Sequence, residues 1–143
     1  AGPGPDEVEE GLRALLRCLE HDACFYRADE RGEIAVFPHV VSSLGTYLSK
    51  EAGLPQGSSM AYLVAPPIEA TIGMDAALKA AAVTAARVFP PPTETNFAAA
   101  WLSGELDACK AAAIAFAEAV VEVGQRPRER GGPGDPRGLR APR

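Results

Sequence analysis

Val8, Leu12, Leu15, Leu16 and Leu19 recur at intervals of three and four, and the spacing predicts an amphipathic helix. Pro5-Asp6 opens it, Asp6 and Glu9 stand at capping-box spacing, and its end falls near His21-Asp22. Two short strands follow, Cys24–Tyr26 and Ile34–Phe37, joined by the turn-forming run Asp29-Glu30-Arg31-Gly32. Pro38 limits regular pairing beyond the second. Val40 to Lys50 suits strand or helix; its Thr46–Glu51 end reads as helical, and Gly53–Ser58 as a loop. Met60–Ala65 is a strand that stops at Pro66-Pro67, residues 68–82 an Ala-rich helix, and Val83–Phe89 another strand. Consecutive prolines donate no N–H, so Pro90–Thr95 is a loop. Phe97–Leu102 is a strand, and Ser103-Gly104-Glu105 turns the chain into a long helix. There Leu106, Cys109, Ala113, Phe116, Val120 and Val123 form one apolar face.

Strand–helix–strand, loop, strand–helix fits an α+β domain, an antiparallel sheet with helices packed on one face. Alanine is dense in both later helices and in two strands, which allows close approach of helix and sheet with less apolar area per residue. The chain divides into a leader and helix (1–22), a body (23–125) and a tail (126–143) of Arg, Pro and Gly that has almost nothing to bury and is expected to be disordered.

Its 143 residues suit one domain, and 47% hydrophobic with 23% charged residues is ordinary for a globular protein. No run approaches the roughly 18 apolar residues of a membrane span. The start, Ala1–Asp6, has no basic region followed by an apolar core, so no secretion signal is expected. Three cysteines (Cys18, Cys24, Cys109) cannot all pair, which favours a reducing compartment. The net charge of −5 argues against general nucleic-acid binding. Through residue 125 acids outnumber Lys and Arg seventeen to eight, whereas the last 18 residues hold six Arg and two acids. Such a tail can touch an acidic surface or simply be solvated.

Residues for an enzyme are hard to name. Only His21 and His39 offer imidazole bases; a helix end suits His21 as a cation, and His39 suits packing or the surface. There is no HExxH, Walker loop, GxGxxG or GxSxG. His21 and Cys24 are two ligands, too few for structural zinc.

The stretch Met60–Ala81, the run Phe89–Gly104 and the helix start Asp107-Ala-Cys-Lys-Ala-Ala together resemble bacterial microcompartment (BMC) shell domains, specifically the C-terminal half of the tandem-domain shell proteins of ethanolamine utilisation. His39–Ser42 and Gly45–Ser49 extend the resemblance, which covers roughly residues 6–126. It implies a ferredoxin-like, circularly permuted BMC domain with a structural role, no catalytic residue, no metal and no cofactor. Three tandem chains form a flat pseudohexameric tile that packs against other shell proteins, and small polar metabolites pass its pores. The implied place is the shell of a polyhedral compartment in the bacterial cytoplasm. The family pattern is twice this long, and residues 6–21 resemble the last helix of a preceding shell domain. Either the chain is one piece of a tandem protein with that upstream domain as partner, or six single-domain chains make a hexamer-like ring.

The same resemblance implies residue roles. The loop Pro90, Pro91, Pro92, Thr93, Glu94, Thr95, Asn96 would approach the symmetry axis and line a pore. Its prolines stiffen it, and Glu94 repeated around a ring would form a charged collar that favours cations or polar amines. Read without the resemblance, it is a stiff surface turn with a solvated Glu. Lys79 would lie along the tile edge, its stem flat and its ammonium on carbonyls across the junction; otherwise it is an ordinary helix lysine. Trp101, Phe97, Phe116 and Tyr62 read as core or interface aromatics, and Cys109 as packed. The alternative is a small-molecule-sensing regulatory domain of ferredoxin-like fold, which would form a small closed oligomer around a tight ligand.

Overall fold

Strand Ser59–Ala65 has two buried faces: Ala61, Leu63 and Ala65 belong to one apolar cluster, and Met60 to another on the opposite side. Covering on both sides is why its sequence, MAYLVA, is a continuous apolar run rather than an alternating one. The computed structural model describes residues 4–18, 24–91, 93 and 95–126, with the side chains of 16–18 excluded. Along it run α1 (Pro5–Cys18), β1 (Tyr26–Arg27), β2 (Ala35–Val41), α2 (Thr46–Ala52), β3 (Ser59–Ala65), α3 (Pro67–Ala80), β4 (Thr84–Phe89), β5 (Ala98–Gly104) and α4 (Leu106–Gln125). The sheet order is β1-β2-β3-β5-β4, every neighbouring pair antiparallel. This is the α+β architecture the sequence predicts.

α3 and α4 pack on one face of the sheet and on each other. Nine of the sixteen buried residues in that cluster are alanine. The largest is Phe116, 1% exposed, and burying such a ring is worth roughly 1.5–3 kcal/mol. Gly73 sits where α3 meets α4: a Cβ there would lie 2.7 and 2.9 Å from two ring carbons of Phe116. Short α2 covers the other face, through Leu44, Ala52, Met60 and Trp101. It ends at Gly53, whose left-handed φ of 66° lets its N–H cap the last turn.

The expected hairpin is present. Ala28 N–H donates to Ile34 C=O at 2.8 Å, and Gly32 N–H to Asp29 C=O at 3.3 Å. β1 is shorter and later than expected, and β2 runs past Pro38, which pairs with Leu63 in mid-strand. β1 matches only Ala35 and Val36, so the outer side of β2 is unpaired from Phe37 on among the described residues, and a missing N–H is tolerated there. β5 takes in Ser103 and Gly104, and α4 starts at Leu106 after Glu105. Among the described side chains of the α1 stripe, Val8, Leu12 and Leu15 lie in the open, at 44%, 56% and 59% exposure. Leu19, His21 and the tail beyond Arg126 lie outside the described residues.

Candidate functional site

The loop from Pro90 to Asn96 joins the edge strand β4 to its inner neighbour β5. Pro90 and Pro91 are exposed, Thr93 is half-buried, and Thr95 and Asn96 are exposed; Pro92 and Glu94 lie outside the described residues. Asn96 N–H donates to Thr93 C=O at 3.2 Å, which closes a turn, and Asn96 takes a left-handed φ of 58°. Asn tolerates that conformation better than most side chains. The Thr93 hydroxyl donates to Phe97 C=O and lies 3.4 Å from that of Thr95. Thr93 is therefore a staple within the loop, and Thr95 and Asn96 are the described polar groups most open to a solute.

The two residues that flank the loop were not singled out together from sequence, although an aromatic on each side of a proline run is a readable signal. Phe89 ends β4, and its ring lies 5.0 Å from Trp101 at 70°. Phe97 precedes β5, and its ring lies 5.7 Å from Phe25. Arg87 stacks over Phe89 and Trp101, 5.0 and 5.7 Å from their centroids, and donates to the backbone carbonyl and carboxylate of Glu51 at 3.2 and 3.3 Å. That pair ties α2 to β4; its groups are 46% and 39% exposed, so the ion pair itself is weak.

Lys79 stands in the last turn of α3, where the helix dipole favours a cation. Its Nζ is 2.6 Å from Asp75 Oδ2, four residues back. Both side chains are largely exposed, so the ammonium can exchange this partner for another at little cost. His39 stacks on Phe37 at 5.4 Å, as a packing residue would. Cys109 is fully buried, and burial pushes its thiol up, out of the reactive range. Beside α4, Tyr26, Phe37, Val40, Ala113, Ile114 and Ala117 line an apolar groove of about 460 Å³.

No family model matches the chain. The bacterial microcompartment shell protein EutL of Escherichia coli (strain K12) is 51% identical over 129 residues, 90% of this chain and 59% of that protein. The chain is a homologue of EutL. The crystal structure of EutL from Leptotrichia buccalis C-1013-b superimposes with a TM-score of 0.77 at 50% identity, covering 90% of this chain and 59% of the other. EutL from Clostridium perfringens gives 0.74 at 53% identity, over 86% and 56%. The α+β sheet described above is thus similar in sequence and fold to the microcompartment shell proteins EutL. The chain spans about three fifths of the length of the EutL proteins it matches.

Proposed function

We propose that this chain is a structural, non-enzymatic subunit of the shell of an ethanolamine-utilisation microcompartment, and that it works by assembling with copies of itself and other shell proteins into a perforated tile. The observation that carries the reading is half-identity to EutL across nine tenths of the chain, with the same fold. The matched proteins are named for a shell, which favours this reading over a sensing domain. Its implied place is the microcompartment shell in the bacterial cytoplasm.

In this reading Pro90–Asn96 lines an opening at a three- or sixfold axis. Exposed prolines, a turn closed by Thr93 and outward Thr95 and Asn96 support that role. Glu94 would add one negative charge per copy, and a ring of them would favour small cations and polar amines. Lys79 would hold the tile edge, which its exposure and weak local ion pair support. Helix α1 would close a second shell domain upstream of residue 23. The exposed apolar side chains of Val8, Leu12 and Leu15, which suit a further packing partner, support that boundary.

Electron microscopy of the purified chain tests the proposal. Closed rings that tile into flat sheets are expected. Lys79→Ala should leave the rings and raise the concentration needed for sheets roughly tenfold, the equivalent of losing about 1.4 kcal/mol at each junction. Unchanged sheets would remove Lys79 from the edge, and isolated monomers would contradict the shell role.

A further inference from the structure

Both feet of the Pro90–Asn96 loop stand on one continuous series of aromatic rings. From Phe89 the contacts run to Trp101 at 5.0 Å, Tyr62 at 5.6 Å, Phe37 at 5.9 Å, Phe25 at 5.3 Å and Phe97 at 5.7 Å. The path crosses β4, β5, β3 and β2, and returns to the loop through the segment before β1. Tyr62 meets Phe37 and Trp101 edge-on, at 88° and 80°, an arrangement aromatic pairs prefer. Trp101 is 7% exposed, and its indole Nε1 has no hydrogen-bond partner. Its position is therefore set by its neighbours' packing, with Arg87 stacked over it and Phe89.

We propose that this aromatic ladder is the mount of the loop, with Phe25, Tyr62 and Trp101 as positioning residues that fix where Thr95 and Asn96 stand. The proposal rests on the reading of the loop as functional. The physical reason is local. Prolines restrict φ within the loop but cannot fix its direction, which depends on its two ends. At one end Phe89 is held between Arg87 and Trp101. At the other, Phe97 touches Phe25, which is 53% exposed and packs on Phe37. Each ring shared between two neighbours transmits position because packed rings do not deform freely. One end thus leans on the core of the sheet, and the other on a ring at the surface.

The test is hydrogen exchange by NMR on the full chain, comparing the loop amide of Asn96 with Leu63 and Leu102 in the sheet. Asn96 N–H is bonded to Thr93 C=O, so its protection reports loop order. Phe25→Leu, at a half-exposed position that the fold can lose, should raise Asn96 exchange roughly tenfold and leave Leu63 and Leu102 unchanged. Tyr62→Leu, which removes the central rung, should do so more strongly. Asn96 exchange unchanged in Phe25→Leu would overturn the mount. So would equal acceleration at all three amides, which is the mark of general destabilisation. Phe25→Tyr, which keeps the ring, should restore protection. Solute selectivity of assembled Glu94→Gln tiles reports on the pore separately: an ordered loop with unaltered selectivity would sink the pore and keep the mount.

Discussion

At Gly73 the backbone of α3 comes close against the Phe116 ring of α4. A methyl group there would press into the Phe116 ring, which is fully buried and has little room to retreat. Gly73→Ala gains helix propensity and loses packing. The overpacking term wins, because the clash is with a rigid ring rather than a flexible tip. Urea titration should show a loss of about 1–3 kcal/mol; stability equal to or above the parent would mean the helices separate more easily than the contact suggests. Sequence pattern could find Phe116 and Cys109 as core because both recur on one helical face. It could not find Gly73, whose role is an absence of side chain at a crossing. Nor could it find the staple at Thr93, since hydroxyl partners depend on the turn's three-dimensional course. Pro92 and Glu94, which the sequence places in the same loop, are outside the described residues.

Among the elements, the hairpin between β1 and β2 adds one carboxylate to its backbone hydrogen bonds. Asp29 Oδ1 accepts the Ile34 N–H at 2.8 Å, and this holds the Asp29 carboxyl below its ordinary value, against a smaller opposing effect of desolvation. A depressed carboxylate pKa contributes stability above the unfolded value near 3.8, and that contribution disappears as pH falls through the lower folded value. Asp29→Ala should therefore lower the melting temperature at pH 7 and flatten the parent's loss of stability below pH 4. An unchanged slope there would show that Asp29 is not responsible. Asp29-Glu30-Arg31-Gly32 was legible as a turn because Asp and Gly are the residues it demands. β2 was read too short. Pro38 limits regular pairing only where its missing N–H faces a partner, and which edge is open is a property of the whole sheet. α2 was legible as a helix, yet its place on the face opposite α3 and α4 was not, because seven residues carry little periodicity to say what they cover.

The whole molecule is an alanine-rich α+β domain similar to EutL, with an amphipathic helix, α1, whose described apolar side chains Val8, Leu12 and Leu15 remain open. Its fold class was readable from the order of strand and helix patterns. The proposed function was readable through resemblance alone, because a structural role would leave no catalytic constellation in a sequence. What distinguishes a tile from any other α+β domain is association, and closed association is a matter of symmetry. Native mass spectrometry of the full chain, with a denatured mass from the same sample, tests this most directly. The account predicts a closed ring of three or six equivalents of the subunit, each either this chain or this chain with a co-purified upstream shell domain. A monomer or dimer at concentrations well above the micromolar range, with no second chain, would contradict it.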